Sequence, residues 1–444
     1  MSLTADSRVT KNGAAYSVIG EIPGTGDETL YMTAHYDGYF YSFDDNASGV
    51  GAVMGIAKAI VESGYKPQKT IRFILHPAAK WGLSDSKYDW AVGANATIDK
   101  HPGWARDAFA LISIDGGVMS NVASGIRISA SPELLDFALR VGYDVETNPL
   151  GDFEAVPLNA PLTEGFVYAK RGIPVLCSGF SGISRQIEEV YQTNMDTINY
   201  FYNEETLLYT QKLYGTYLIE LDRQPVKPLD FSRLFEAMLD AADTFGPVKA
   251  QAFENAICNA IDASYSLNDR ISGDLGKDAQ DFNRQLFDIS LAIQKNLISL
   301  TWDDEIIFAH ERHIRNINRL SDAVEALKKG DAETAVRDYL SKVDLNGYAL
   351  WFDNETYDYF VDQALAPDAL NSWGTGFIND NTDLYGVMRA IKTKSESVEK
   401  LDFRDEMETI DIAIISRQKL LRNAVEDMTK EMISITRAIN RLAE

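Results

Sequence analysis

The stretch that decides the fold covers residues 31–50 and reads YMTAHYDGYFYSFDDNASGV. Its apolar start predicts a β-strand that ends at His35 and Asp37, and Asp44 and Asp45 follow on a loop. The small and apolar residues after this loop predict a helix. Open α/β sheets place their chemistry at strand ends and helix N-termini. An imidazole and several carboxylates at such a point therefore indicate a divalent-metal site.

The composition limits the classes of partner that the chain can bind. A length of 444 residues allows two domains, and 45% hydrophobic with 24% charged residues is typical of a globular protein. The net charge of −24 argues against a nucleic acid or an anionic membrane as partner, because both require a basic surface. We find no apolar run of the length that would span a bilayer.

Cysteine usage and the chain start leave localisation open. Two cysteines, Cys177 and Cys258, cannot form a disulfide framework, so the redox compartment is undetermined. The first residues, MSLTADSRV, lack the apolar core of a signal peptide. We expect a natural N-terminus, with any targeting signal, to be missing here, and secretion or a cell-surface location is compatible with that expectation.

Short strand-like and helical segments alternate through residues 1–222, which predicts a three-layer α/β domain with a mostly parallel sheet. Predicted strands are Tyr16–Ile22, Leu30–Ala34, Thr70–His76, Ala108–Ile114, Ile126–Ser129 and Pro174–Ser178. Predicted helices are Ala47–Glu62, Asp85–Ala96, Pro132–Val141, Glu164–Arg171 and Glu204–Leu221. The turn-forming sequence PGTGDET at 23–29 predicts a hairpin between the first two strands.

After residue 222 a proline-containing linker leads into a region where helical periodicity dominates, and we predict that residues 223–444 form a helical bundle domain. The longest apolar stripe in this region runs from Ile414 to Leu442. The segment Asp344–Asn381, rich in Tyr, Trp, Asn and Gly, is the least regular part.

The chemistry of a two-metal hydrolase sets out what this site needs. Two ions close together require about six ligand positions with one bridging carboxylate, and a separate carboxylate must act as general base. His35 and Asp45 lie near one predicted strand end, and Asp115 follows the strand ALISI. These three side chains could hold one ion.

The strand ending in His-x-Asp and the Asp-Asn-Ala-Ser-Gly that opens a helix resemble the zinc aminopeptidase family of the M28 type. The resemblance covers roughly residues 14–222 and implies a general-base glutamate and a ligand glutamate after the third strand. In the register fixed by Trp81-Gly82-Leu83 and Ser86, these positions are Ala79 and Lys80. The family's later Tyr-His-Thr-x-x-Asp-Thr is Tyr191-Gln192-Thr193-Asn194-Met195-Asp196-Thr197 here, so the ligand histidine is replaced by Gln192.

The resemblance implies that both replaced metal ligands, at Lys80 and Gln192, belong to the same ion. His35, Asp45 and Asp115 match the ligands of the other ion, with Asp45 in the bridging position. Asp37 matches the carboxylate that orients the ligand histidine. In the cleft, Tyr191 is retained, whereas Glu164 takes the place of an aspartate and Gly165 that of the following histidine.

Lys80 has two interpretations. It could be an ordinary solvated lysine at a strand end. Alternatively, its ammonium occupies the vacated metal position and neutralises Asp45, because Asp45 and Asp115 would otherwise repel each other.

Other candidate residues have structural interpretations that we favour. His76 could be a substitute ligand, but a hydrogen-bonded strand-end histidine is the simpler assignment. His310 and His313 fall on an apolar helix stripe and are expected to pack, since HERH is not the HExxH zinc motif. Cys177 follows a buried strand and is expected in the core.

The sequence therefore predicts a catalytically impaired pseudopeptidase of the M28 type that acts through binding of a peptide or protein, or through assembly. The alternative is a metal-dependent hydrolase that uses one ion at His35, Asp45 and Asp115 with a relocated base. One Zn²⁺ or other divalent ion and no ion at all are both compatible with this ligand set. The resemblance further implies a cis Asp45–Asn46 peptide and, from family members that dimerise, a homodimer through the helical domain.

Overall fold

A computed structural model describes residues 13–80, 91–119, 121–158, 163–242, 251–273, 275–298, 308–365, 380–396 and 402–444, together with residues 4, 6 and 8. The strands are β1 (Val18–Ile22), β2 (Thr29–His35), β3 (Thr70–His76), β4 (Ala108–Ser113), β5 (Gly125–Ala130), β6 (Asp152–Pro157), β7 (Val175–Cys177) and β8 (Phe180–Ser181).

The helices of the N-terminal half are α1 (Gly49–Ser63), α2 (Val92–Lys100), α3 (Gly103–Asp107), α4 (Leu135–Asp144), α5 (Glu164–Ala169), α6 (Ile187–Val190), α7 (Ile198–Phe201) and α8 (Glu204–Arg223). Those that follow are α9 (Ser232–Ala242), α10 (Gln251–Ile271), α11 (Ala279–Asn296), α12 (Ala309–Lys328), α13 (Ala332–Thr334), α14 (Asn354–Leu365), α15 (Tyr385–Ser395) and α16 (Arg404–Ala443). The predicted helix Asp85–Ala96 lies partly outside the described residues, and its described part belongs to α2.

The strands form one mixed sheet in the order β1-β3-β2-β4-β7-β5-β6, with β8 paired to β5. The four central strands β3, β2, β4 and β7 are parallel, whereas β1 is antiparallel to β3 and β5 is antiparallel to β7. All seven residues of β2 are buried, as expected for a strand covered on both faces. The predicted fold class, an α/β sheet domain followed by a helical region, is confirmed.

The predicted hairpin between the first two strands is wrong. Both edges of β2 are already used by parallel pairing with β3 and β4, so β1 pairs with β3 instead. The turn at 23–29 is tied to the chain before β3, where Gly26 N donates to Gln68 O at 2.7 Å. The sequence also failed to predict the edge strand β6, whose residues DFEAVP are acidic, end in proline and are half exposed.

The chain divides into two compact units, each built from several stretches. The first contains Met1–Leu234, Ile261–Lys295 and Arg437–Glu444, and the second contains Phe235–Ala260 and Asn296–Thr436. These units do not divide at the boundary that we predicted between residues 222 and 223. The division into domains at that boundary stays a prediction.

The apolar stripe of α16 is buried within the chain itself. Leu421, Met428, Ile435, Ile439 and Leu442 are all less than 9% exposed. The stripe therefore does not require a second copy to cover it. Among the described residues, no helix is both long enough and apolar enough to cross a membrane.

Candidate metal centre

The sheet brings three predicted ligands to one edge. His35 is the last residue of β2, and Asp115 lies two residues beyond the end of β4, the neighbouring parallel strand. Asp45 lies on the turn that precedes α1. One potential ligand atom from each of these residues lies within 4.8 Å of the other two.

The His35 imidazole has hydrogen-bond partners on both ring nitrogens. Nε2 lies 3.1 Å from Asp45 Oδ1 and 3.2 Å from Asp115 Oδ1, while Nδ1 lies 2.9 Å from the backbone oxygen of Asp37. Burial would lower the pKa of His35, but the negative charge of Asp115 and hydrogen bonds to the three aspartates raise it well above 6.5. A divalent ion at Nε2 would take the place of that proton, because a ligand imidazole must be neutral.

The loop before α1 is fixed by hydrogen bonds that aim Asp45 into the cluster and Asp44 away from it. Asp44 accepts hydrogen bonds from the backbone N–H groups of Val118 and Met119 at 3.3 and 3.1 Å. Asp196 accepts from the backbone N–H groups of Asp44 and Asp45 at 2.8 and 3.3 Å. The Asp45–Asn46 peptide is cis, as predicted.

Asp196 supports this loop, and the sequence offered no reason to select it, although it belongs to the stretch Tyr191–Thr197 that contains Gln192. Its carboxylate connects the segment after α6 to the loop that carries Asp45, two stretches about 150 residues apart in the chain. Asn46 makes a similar connection, since its amide donates to Ile114 O at 2.8 Å and its oxygen accepts from Gly116 N at 2.8 Å. These bonds bring the Asp45 carboxylate to the ends of β2 and β4.

Asp37 links the histidine to the main chain of Ala79 and Lys80. One carboxylate oxygen lies 3.6 Å from His35 Nδ1, and the carboxylate accepts from the backbone N–H groups of Ala79 and Lys80 at 2.9 and 2.8 Å. The main chain at 79 and 80 is therefore tied to the site even though neither side chain is a carboxylate.

The Lys80 ammonium lies in the cluster. Its Nζ is 2.9 Å from Asp45 Oδ2, and the Lys80 side chain is only 1% exposed. The solvated-lysine interpretation is therefore wrong, and the predicted ion pair with Asp45 is confirmed. Burial would raise the pKa of Asp45, but the hydrogen bond from His35 and the charge of Lys80 outweigh it and lower the pKa to about 2.

Tyr191 and Gln192 directly follow α6, and the Tyr191 ring lies close to the Lys80 ammonium. Lys80 Nζ lies 5.9 Å from the centroid of the Tyr191 ring. The pKa of Tyr191 is raised far above 10, first by burial and then by the charges of Asp45 and Asp115, so the hydroxyl stays protonated and can donate. Gln192 is half-buried with a left-handed φ of 58°, and its amide offers no anionic ligand.

Glu164 is a buried carboxyl at the start of α5. Burial raises its pKa to about 8, with opposing contributions from the charges of His35 and Asp115. Its Oε1 has no hydrogen-bond partner among the described residues. At neutral pH it is therefore mostly a neutral acid near the cluster. The next residue, Gly165, cannot carry the histidine of the family pattern, because a Cβ there would collide with Cys177 Sγ.

Glu164→Gln is expected to flatten the pH dependence of stability between about pH 5 and pH 8. The glutamate in the unfolded chain loses its proton near 4.5 and the folded one near 8. The stability contributed by protonated Glu164 is therefore complete below 4.5 and declines as the pH rises towards 8, by on the order of 2–5 kcal/mol. Thermal unfolding across this range measures the slope, and Glu188→Gln, an exposed residue, is the control. Equal slopes for the wild type and Glu164→Gln would contradict the assignment.

The other candidates that were given structural interpretations lie in structural environments, namely His76, His310, His313 and Cys177. His76 is fully buried, and its Nε2 lies 2.9 Å from the Tyr168 hydroxyl, while burial lowers its pKa to about 3. His310 is buried against the parallel ring of Phe308, and His313 Nδ1 lies 3.4 Å from Arg417. Cys177 is a buried free thiol whose pKa is raised to about 12 by burial.

The donor set matches one divalent ion and not two. His35, Asp45 and Asp115 supply one nitrogen and carboxylate oxygens at suitable spacing, which suits zinc or a similar cation. At the second position that the resemblance implies, the side chains would be the Lys80 ammonium and the Gln192 carboxamide, and Asp45 Oδ2 is already paired with that ammonium. The residues therefore fit the first ion and do not fit the second.

The mixed sheet with its flanking helices thus carries a His–Asp–Asp cluster at the ends of its strands. Residues 17–216 match the model of Peptidase family M28.

Solved structures of similar fold include a zinc aminopeptidase from Bacillus subtilis, with 16% identity over 48% of this chain and 51% of that one, at a TM-score of 0.38. A glutaminyl cyclase from an Acidobacteriales bacterium has 16% identity over 47% of this chain and 73% of that one, at a TM-score of 0.40. The LapA aminopeptidase of Legionella pneumophila has 16% identity over 46% of this chain and 54% of that one, at a TM-score of 0.38. The match thus spans about half of the Bacillus subtilis enzyme.

Proposed function

We propose that this chain, which resembles the peptidase family, has lost two-metal hydrolysis. We propose that it binds a peptide or protein segment at the candidate metal centre instead. The single observation that carries the proposal is the buried ion pair between Lys80 Nζ and Asp45 Oδ2 at 2.9 Å. The family's second ion needs that carboxylate oxygen and a glutamate at position 80. Here an ammonium stands in for both the ion and its ligand.

Electrostatics support the exclusion of a second ion. Two unit charges at 4 Å attract or repel by roughly 4 kcal/mol at an effective dielectric of 20, before desolvation. A dication beside the Lys80 ammonium would be repelled about twice as strongly, and no anionic ligand at 80 or 192 would compensate. Asp45 gains its neutralising charge from Lys80 instead.

The missing base supports the loss of hydrolysis independently of the metal. Ala79 is 2% exposed and carries only a methyl group where the family has its general-base glutamate. Loss of a general base typically lowers a rate by about 10² to 10⁴. Together with the absent second ion, this predicts little or no peptide hydrolysis by the family mechanism.

The second candidate function is a hydrolase that uses one divalent ion, and the spacing of His35, Asp45 and Asp115 favours it. A bound ion would polarise a substrate carbonyl and activate water. The chain's own groups would have to move the proton. Glu164 is the buried carboxyl whose charge interacts with all of His35, Asp115, Asp37 and Lys80, which makes it the candidate for the relocated acid or base.

Metal content and turnover, measured together on one preparation, separate the two functions. We expect the wild-type chain, dialysed against zinc, to hold no more than one ion by elemental analysis and to show no turnover of aminoacyl arylamides. One ion with turnover that falls on Glu164→Gln would establish the second function. Two ions with turnover would contradict both. Retention on an immobilised random-peptide library without turnover supports the binding role.

The homodimer through the helical region stays a prediction, and it is independent of the function of the metal centre. The stripe from Ile414 to Leu442 is mostly buried, so any interface would need other residues, such as the exposed Ile412 and Ile415 of α16. Sedimentation at micromolar concentration tests this, and a species of the monomer mass of 49.4 kDa alone would count against it.

A further inference from the structure

The second compact unit contains a segment of extreme composition that the cleft does not explain. Residues 343–388 contain no lysine, arginine or histidine. They contain eight acidic and nine aromatic residues, namely Asp344, Asp353, Glu355, Asp358, Asp362, Asp368, Asp380, Asp383, Tyr348, Trp351, Phe352, Tyr357, Tyr359, Phe360, Trp373, Phe377 and Tyr385. This composition favours contact with cations.

Part of this segment forms an aromatic patch, which we define as Tyr348, Trp351, Phe352, Tyr359 and Phe360. The rings of Tyr348 and Phe360 stack with centroids 4.9 Å apart and an interplanar angle of 13°, and Phe352 lies 5.2 Å from Phe360. Tyr359 meets Phe360 edge-on at 5.7 Å. Trp351 is 79% exposed and Tyr359 is 59% exposed, which is unusual for side chains of this size.

Exposed carboxylates accompany the patch on α14. Glu355, Asp358, Tyr359 and Asp362 are spaced by three or four residues, so they share one face of the helix, and all four are exposed. Tyr359 thus belongs both to the patch and to this acidic stripe. None of the ion pairs found among the described residues involves Glu355, Asp358 or Asp362.

Buried ion pairs and hydrogen bonds fix the segment that carries the patch. Asp344 is buried and pairs with Arg312 at 2.6 Å and with Arg417. Tyr357, buried on the inner side of α14, donates to Asn346 at 3.0 Å. The backbone oxygen of Phe352 accepts from the Arg389 guanidinium. The exposed groups are therefore presented on a preorganised frame, which lowers the entropy cost of binding.

We propose that the aromatic patch and the acidic stripe form a docking surface for a basic segment of another polypeptide. Arginine and lysine side chains can stack on the exposed rings of Trp351 and Tyr359 and pair with the adjacent carboxylates. A second copy of this chain is disfavoured as the occupant, because each copy carries a net charge of −24. This inference is independent of the function of the cleft.

The test uses the full chain and a fluorescein-labelled octa-arginine peptide, with binding followed by fluorescence anisotropy at low and physiological salt. Trp351→Ala is expected to weaken binding at least tenfold, as truncation of a central interface tryptophan does. The triple variant Glu355→Gln/Asp358→Asn/Asp362→Asn is expected to weaken binding to a similar degree and to reduce its salt dependence. Octa-lysine should bind more weakly than octa-arginine, because lysine stacks less well on aromatic rings.

Two matched controls separate a docking surface from general attraction to an acidic protein. Glu408→Gln/Asp411→Asn/Glu426→Gln removes three exposed charges of α16 and should leave binding unchanged. Tyr16→Ala removes a 75% exposed aromatic of the first unit and should also have no effect. Equal loss in the two triple variants, or unchanged binding in Trp351→Ala, would overturn the proposal. The proposal would also be overturned if an oligosaccharide bound in a way that depends on Trp351 while the peptide did not bind.

Discussion

The triple variant Ala79→Glu/Lys80→Glu/Gln192→His is expected to bind two zinc ions per chain, where the wild type binds no more than one. The substitutions remove the ammonium from Asp45 Oδ2 and supply a carboxylate and an imidazole around the vacated position. The backbone at 79 and 80 already hydrogen-bonds to Asp37, so the new side chains start from a fixed main chain. Histidine at 192 is compatible with the left-handed φ of 58°, which it adopts more readily than most residues.

Stability provides a readout of this variant that does not depend on activity. Without metal, the triple variant places a glutamate beside Asp45, and we expect a lower unfolding temperature than in the wild type because the two carboxylates repel each other. Zinc at about 100 times its dissociation constant should restore roughly 2.7 kcal/mol. The wild type should gain less, since its second position is occupied by Lys80. Recovery of peptidase activity additionally requires an intact substrate pocket.

The control for this experiment carries glutamine at positions 79 and 80, which has the size of glutamate but no carboxylate. Ala79→Gln/Lys80→Gln also deletes the ammonium but offers no carboxylate, so it should not bind the second ion. Elemental analysis and zinc titration calorimetry distinguish the two variants. If the control binds two ions, or if the triple variant binds only one, the assignment of Lys80 and Gln192 to the second metal position is wrong.

The sequence predicted most of the cluster because its residues lie in short local patterns. His35 and Asp37 end a strand that is apolar enough to recognise, and DDNASG is a contiguous signature of the loop that carries Asp45. The register fixed by Trp81-Gly82-Leu83 and Ser86 placed Lys80 at a ligand position, and an ion pair with Asp45 was one of the two interpretations that followed. The sheet could be predicted in its central strands, whose continuous apolar runs are typical of parallel strands buried on both faces.

What the sequence could not provide were long-range pairings between polar groups. Asp196 binds the backbone of Asp44 and Asp45 across some 150 residues, and no local pattern predicts which N–H groups a carboxylate will accept. The partner of β1 was mispredicted for a related reason. A turn sequence indicates that the chain reverses, but only the pairing of β2 with both β3 and β4 decides that β1 has no free edge of β2 to join. The protonation of Glu164 likewise follows from its burial, which depends on the packing of α5 in the folded chain.

Lys80→Met is expected to destabilise the first compact unit by about 3–5 kcal/mol at neutral pH, the usual cost of removing one partner of a buried ion pair. Methionine fills a similar volume, so the effect reports charge more than packing. Hydrogen exchange of the β2 amides measures the opening free energy of this unit, since all seven residues of β2 are buried. Lys58→Met is the matched control, because the Lys58–Glu62 pair is 71% and 62% exposed and should contribute less than about 0.5 kcal/mol.

The pH dependence of this variant shows whether Asp45 is the group that Lys80 neutralises. In the wild type the folded pKa of Asp45 is about 2, below its value of 3.8 in the unfolded chain. Its ionised form therefore stabilises the fold above pH 3.8, and that contribution is lost as the pH falls towards 2. Lys80→Met raises the folded pKa of Asp45, so the difference in stability between the wild type and the variant should shrink as the pH is lowered through this range.

A zinc ion at His35, Asp45 and Asp115 would supply the missing positive charge, and added zinc should then stabilise Lys80→Met more than the wild type. A loss no larger than that of Lys58→Met, independent of pH and zinc, would show that Lys80 does not replace a metal.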